Sequence, residues 1–292
     1  MSERSSDMTV GDEICTIKRT QAEDWDAAAQ GLEGFVDDLE SGLSSATRRL
    51  VELASPRPGQ RVLDLGTGYG EPALSVAPLL RPGGHVTGID LSDEMIELAR
   101  SRAGGEPDVE FRVGDFDTLD LPDASADAVL ARFALMFAPE PVHTFTEIRR
   151  VLAPGGVLAA TVWASPQLNG FATGTLAIAR ALGATPPPGA PGPFSMADLD
   201  TLIGQLREAG FADVSSEELV VPFRIAGLDR YVQITLAVTA PRLLAAARQR
   251  LGSDAAVADL ISAAARPHLD GDGTVVLPST AFCVRAVAPA QR

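Results

Sequence analysis

The amino-acid sequence predicts an α/β fold with a seven-stranded, mostly parallel sheet, helices on both faces and a helical lid. Three observations predict it. Short apolar runs alternate with segments of helical period from residue 55 onward. The connections between them are short, as crossovers in a parallel sheet require. A glycine-rich turn joins the first strand to its helix.

The elements follow in order. Residues 1 to about 20 read as a polar, mobile tail. Between Gln21 and Ala54 the apolar positions recur at helical spacing, which predicts two or three helices. RVLDL (61–65) is the first strand and PALSVAPLL (72–80) its helix. HVTGID (85–90) is the second strand. Ser92 is placed to cap the next helix, which runs to Ala103 with Asp93 and Glu94 in its first turn. VEFRVGD (109–115) and ADAVLARFAL (126–135) are the third and fourth strands. A helix over 141–152 precedes the fifth strand, GVLAATVWA (156–164). The Pro/Gly-rich stretch 184–194 is a loop or linker. An amphipathic helix (196–210), ended by Gly210, leads to a sixth strand (211–223). Residues 227–270 are Ala-, Leu- and Arg-rich and helical, and residues 275–289 form the last strand. The helical block 227–270, with a smaller one at 167–183, predicts a lid over one sheet edge, because ligands bind at the carboxyl ends of strands. A separate helical subdomain is the alternative.

Composition narrows the partners. The formal net charge is −15, and Lys18 is the only lysine. A duplex-binding surface needs a positive patch, so nucleic acid is not expected, nor is an anionic membrane. Two cysteines, Cys15 and Cys283, make neither a disulfide framework nor a metal site. The N-terminal stretch lacks the apolar core of a signal peptide, and no apolar run reaches membrane-spanning length. A cytoplasmic protein, monomer or homodimer, is the expectation.

The sharpest signal is VLDLGTGYG (62–70), an apolar strand entering Gly66-Thr67-Gly68-Tyr69-Gly70. Glycines there permit positive φ and let a ligand approach the backbone. Asp90 ends the second strand twenty residues after Gly70. A carboxylate at that position can accept hydrogen bonds from both ribose hydroxyls, although it could also cap the following helix. The pattern departs from the Rossmann dinucleotide fingerprint: the third glycine comes one residue early and Glu71 stands at the helix start. A carboxylate there repels pyrophosphate, which disfavours an NAD-dependent oxidoreductase, and Asp64 adds a second nearby acid. Such a pocket suits a ligand carrying an ammonium and a sulfonium. Asp115 and Phe116, after the third strand, could take an adenine amine and flank its ring, or be a turn residue and a core residue.

These residues carry a family resemblance. VLDLGTGYGEPALSVA, GIDLSDEMIELAR, the stretch from Val109 to Pro141 and EIRRVLAPGGVLAATVW resemble the class I S-adenosylmethionine-dependent methyltransferases, nearest the ubiquinone/menaquinone-biosynthesis branch and its relatives in secondary metabolism. The resemblance covers roughly residues 55–165. It implies a Rossmann-like core that binds S-adenosylmethionine and passes a methyl group to a small molecule. It implies that Asp64 and the turn Gly66, Thr67, Gly68 and Gly70 face the methionine end, that Asp90 holds the ribose with Leu91 packed on adenine, and that Asp115 and Phe116 fix adenine. Arg132 falls where backbone contacts to the cofactor are usual. Thr67 stands where many relatives have Cys. Residues 279–287 would be the final antiparallel strand. The layout becomes an N-terminal helical segment (1–54), a cofactor-binding core (55–165), a lid segment and loop (166–195), a core helix and strand (196–223), a helical lid insertion (224–274) and a last strand with tail (275–292).

Methyl transfer needs alignment, exclusion of water and, for a weak nucleophile, proton removal. Candidate bases are His268 and Tyr231; His143 reads as a surface residue and His85 as structural. Trp25, Tyr69, Phe133, Met136 and Phe137 are candidates for the acceptor pocket, with core packing as their alternative. An aromatic and aliphatic lid favours a hydrophobic acceptor and O- or C-methylation. The competing readings are a methyltransferase-like protein that catalyses a non-methylating reaction such as cyclisation, and a cofactor-sensing binding protein.

Overall fold

β-Branched and aliphatic runs that are buried on both sides favour parallel strands covered by helices on both faces. β1 (Arg61–Leu65), β2 (His85–Asp90) and β4 (Ala126–Arg132) meet that condition, while β3 (Val109–Val113) is an edge strand with only Phe111 buried. These four strands pair in parallel, with β5 (Leu152–Trp163) parallel to β4. A computed structural model describes residues 10–185, 187 and 189–290. Residues 1–9 of the expected mobile tail lie outside the described residues. β6 (Ala212–Ile225) and β7 (Val275–Val287) complete a seven-stranded sheet of order β3-β2-β1-β4-β5-β7-β6. β7 is antiparallel to both neighbours, with Trp163 opposite Ala281 and Phe223 opposite Leu277. The predicted sheet and its antiparallel final strand are both present.

The helices run in chain order: α1 (Val10–Leu32), α2 (Val36–Ala54), α3 (Ala73–Val76), α4 (Asp93–Ala103), α5 (Pro141–Val151), α6 (Thr173–Leu182), α7 (Leu199–Glu208), α8 (Leu228–Val238), α9 (Pro241–Leu251) and α10 (Asp254–Ala265). Ser92 caps α4, its Oγ accepting from Met95 N at 3.0 Å. The mobile tail is corrected over residues 10–20, which are the first half of α1. The polar run hides this helix because its buried residues, Ala28, Ala29 and Leu32, come only at its far end. Ion pairs hold the rest: Arg242 meets Asp24 at 2.9 Å, and Lys18 reaches the loop after β3.

Strand order reverses between β1 and β4, and such a switch point opens a crevice at the strands' carboxyl ends. Helices α6, α8, α9 and α10 pack on one another above that end, and α1 lies against α8 and α4. The predicted lid helices therefore share a single cluster with the sheet.

Candidate active site

The turn after β1 is tied to β2 before any ligand is considered. Gly66 N and Thr67 N both donate to the carbonyl of Ile89, at 2.8 and 3.1 Å. Gly66, Gly68 and Gly70 all have positive φ, at 67°, 52° and 100°. Gly68 matters most, because a Cβ there would meet no protein atom within 4 Å. It would project into open space in the crevice, where the bare backbone now forms a cradle. Gly68 N donates to Asp90 Oδ2 at 2.8 Å, and Ser92 N to Asp90 Oδ1 at 3.0 Å. Each oxygen keeps a lone pair for a further donor. Burial raises the Asp90 carboxyl above its ordinary pKa, against the pull of the backbone donors.

A cavity of about 310 Å³ opens above these residues. Gly66, Thr67, Gly68, Asp90 and Leu91 line it, as do Asp115, Phe116 and Arg132. Two expected members do not. Asp64 is fully buried beneath the turn, where its Oδ2 accepts from Thr67 Oγ1 at 2.6 Å and Ala73 N at 3.0 Å. Its Oδ1 has no protein partner, and burial drives the carboxyl up to about 7. Gly70 packs toward Leu74, Phe111 and Ala99 on the side away from the cavity. Both stand outside the cavity lining and support the turn from beneath.

Lys18 is a residue that sequence reasoning missed. Its ammonium sits 2.5 Å from Asp115 Oδ2 and 2.9 Å from Asp117 Oδ2, and it lines the cavity. Burial works against its charge, but its hydrogen bonds to the two carboxylates hold its pKa above the usual lysine value. The available signal was that this is the sole lysine. Nothing local linked it to a loop 97 residues away.

Arg132 enters the cavity wall with a role beyond backbone contact. Its guanidinium donates to Glu40 Oε2 at 3.0 Å, Thr47 Oγ1 at 2.8 Å and the Tyr69 hydroxyl at 3.2 Å. Tyr69 in turn donates to Glu40 Oε1 at 2.6 Å. Burial pushes the Glu40 carboxyl up, but Arg132 outweighs it and holds the group below its ordinary value. Burial raises the Tyr69 phenol, so this side chain is a donor and not a base.

The expected acceptor residues converge. Trp25, Tyr69, Phe133, Met136 and Phe137 all line the cavity. Trp25 meets Phe137 edge-on, with ring centroids 5.3 Å apart. The Pro/Gly-rich loop is a wall as well as a connection: Ser195 Oγ donates to Met136 O at 2.5 Å, and Phe194 lines the cavity. The two candidate bases stay away. Tyr231 is fully buried, its hydroxyl accepting from Gly174 N at 2.8 Å and donating to Phe171 O at 3.0 Å, which makes it a brace between α8 and the start of α6. His268 lies in the short turn Arg266–His268 after α10, outside the cavity lining. His143 is exposed, and His85 is also exposed, at the start of β2. No group of His, Cys, Asp or Glu among the described residues could hold a metal ion.

Residues 63–160 match the family model described as "Methyltransferase domain". The chain is 34% identical to the demethylmenaquinone methyltransferase of Clavibacter sepedonicus over 208 residues, which is 68% of this chain and 82% of that one. It is also 34% identical to the 27-O-demethylrifamycin SV methyltransferase of Amycolatopsis mediterranei, over 64% of this chain and 68% of that protein. Two further relatives, at 35% and 33% identity, are matched over only 43% and 39% of their own lengths. Among solved structures, the cyclase SpnF shares the fold at a TM-score of 0.51 and 24% identity, over 84% of this chain and 80% of that one. The chain belongs to the class I S-adenosylmethionine-dependent methyltransferase family.

The residues present fit the cofactor of that family. The cradle at Gly68 has room where a side chain would stand, and the buried Asp90 carboxylate offers free lone pairs beside it. Acidic groups line this end while Arg132 is neutralised by Glu40, so a cationic sulfonium meets no unpaired positive charge from that arginine.

Proposed function

We propose that this chain is an S-adenosylmethionine-dependent methyltransferase that methylates a small, hydrophobic acceptor at oxygen or carbon. One observation carries the reading: a single cavity joins the Gly68–Asp90 cradle to a chamber walled by aromatic and aliphatic side chains. When bound, the cofactor supplies a methyl carbon activated by a sulfonium leaving group. Asp90 binds the ribose hydroxyls, and Leu91, Asp115 and Phe116 hold the adenine. The lid helices exclude water, and the aromatic wall orients the acceptor toward the turn. Tyr69 lies in that turn and presents a fixed hydroxyl dipole pinned by Glu40 and Arg132. Three relatives matched over two thirds or more of their length carry names of small-molecule methyltransferases.

The net charge of −15 supports a site for small molecules rather than nucleic acid. Among the described residues no helix is long and apolar enough to cross a membrane. We expect a cytoplasmic monomer or homodimer, which gel filtration with light scattering would test.

The test of function is direct. The purified chain is dialysed against S-adenosylmethionine, then incubated with hydrophobic acceptors, and products are weighed by mass spectrometry. Cofactor uptake and a mass gain of one methyl group are expected. Absence of uptake, or an isomer of unchanged mass, would overturn the reading.

A further inference from the structure

The chamber's wall has a chemical character of its own. Phe133 and Trp163 stack with ring centroids 3.8 Å apart and an interplanar angle of 15°. Trp163 touches Phe223 at 6.4 Å, and Phe223 stacks on Phe171 at 4.1 Å. All four residues line the cavity, so a contiguous band of rings runs from the end of β4 across β5 to β6 and the lid.

Two details show that the band is held at a cost. Phe133 has φ of 56°, in the left-handed region that a bulky side chain rarely enters. Such a conformation is strained for a bulky side chain and clusters where function needs it. Its N–H is fixed to the Thr161 carbonyl at 2.9 Å, which aims the ring along Trp163. On the other side Gly42 of α2 faces Phe223, and a Cβ at that position would stand 2.3 Å from the ring.

At the Phe171 end lies Asn169, buried to 3% exposure and lining the cavity. Its Oδ1 accepts from Ala172 N at 3.0 Å and Ser279 Oγ at 3.3 Å, which sets the orientation of the amide. Its Nδ2 has no protein partner. A buried donor left unpaired is unfavourable, so a ligand acceptor atom is favoured there.

We propose that the acceptor is a flat, conjugated ring system bearing an oxygen, bound face-on to the Phe133–Trp163 wall with that oxygen accepting from Asn169 Nδ2. This rests on the methyltransferase reading and specifies its substrate class. Aromatic walls prefer offset stacking with planar π-systems over puckered rings of equal apolar area. The amide donor selects an oxygen rather than a cation.

Calorimetry on the chain loaded with S-adenosylhomocysteine tests it with three probes: a hydroxynaphthoquinone, naphthalene and a saturated decalin alcohol. The hydroxynaphthoquinone is expected to bind about tenfold more tightly than the decalin alcohol. Asn169→Asp keeps the Oδ1 acceptor and removes the donor; it is expected to weaken hydroxynaphthoquinone about tenfold while leaving naphthalene unchanged. Phe133→Leu, which leaves Asn169 intact, is expected to erase the preference for the flat probes. Equal binding of flat and saturated probes overturns the proposal, as does an Asn169→Asp protein with unaltered selectivity. Retained binding of S-adenosylhomocysteine in those failures rejects the substrate class alone. Its loss in the unsubstituted chain rejects the methyltransferase reading itself.

Discussion

Arg132 at the end of β4 and Glu40 on α2 form a nearly buried ion pair, Nη2 to Oε1 at 2.6 Å, across the base of the cavity. The pair fastens the first long helix pair to the carboxyl end of the sheet and pins Tyr69 between them. Removing one partner strands the other charge in a poorly solvated place. Arg132→Leu is therefore expected to lower unfolding free energy by about 3 kcal/mol, read by chemical denaturation. Combining it with Glu40→Gln is expected to recover much of that loss; full additivity would mean that the two residues act apart.

Asp64 sets a pH dependence of opposite sign to the usual carboxylate. Its folded pKa is raised to about 7 from the ordinary 3.8. Between those values the folded chain binds the proton and the unfolded chain does not, so stability falls as pH rises from about 4 to about 7 and then levels. Asp64→Asn keeps an acceptor for Thr67 and Ala73 and cannot ionise. Denaturation across that range is expected to show a flatter profile for the variant. An identical slope would remove Asp64 as its source.

Asp90→Ala is expected to weaken S-adenosylmethionine binding by about 1–3 kcal/mol, through loss of charge-assisted hydrogen bonds to the ribose. Calorimetry provides the check, with the unfolding midpoint as a control for the lost Gly68 and Ser92 contacts. Unchanged affinity would take Asp90 out of the site.

Lys18→Met removes the cation that joins α1 to Asp115 and Asp117. Amide hydrogen exchange over residues 10–20 is expected to quicken, with cofactor affinity falling alongside. Exchange that is unchanged there would mean that α1 is held by its apolar end alone.

Gly42→Ala places a methyl against the Phe223 ring, and overpacking of this kind costs about 1–3 kcal/mol. The expected result is a lower melting temperature with cofactor affinity preserved, since Gly42 lies under the aromatic wall and not at the turn. A weakened cofactor and an unchanged melting temperature would contradict that placement.

Much of this architecture was legible before any coordinates. The β1 and β2 boundaries, the Ser92 cap and the glycine turn all depend on neighbours in sequence, where periodicity and turn chemistry act. The aromatic wall was only partly legible: Phe133 stood next to a strand end, but Trp163, Phe171 and Phe223 come from three other places in the chain. The helix start at Val10 was missed because its polar first half is held by distant carboxylates rather than by an apolar stripe. Tyr231 and His268 were chosen as chemical types, and type alone says nothing about which cavity a side chain reaches.

The order of apolar runs and the glycine turn by themselves determined the sheet, its switch point and the end where a ligand binds, because strand pairing and crossover handedness leave few alternatives. Only the tertiary structure decided that Asp64 turns inward while Asp90 faces the cavity, that Lys18 closes on Asp115, and that Asn169 is left without a partner beside four rings. The reason is physical. Local preference follows backbone sterics within a few residues, whereas burial, ion pairing and an unsatisfied donor depend on what the rest of the chain brings near.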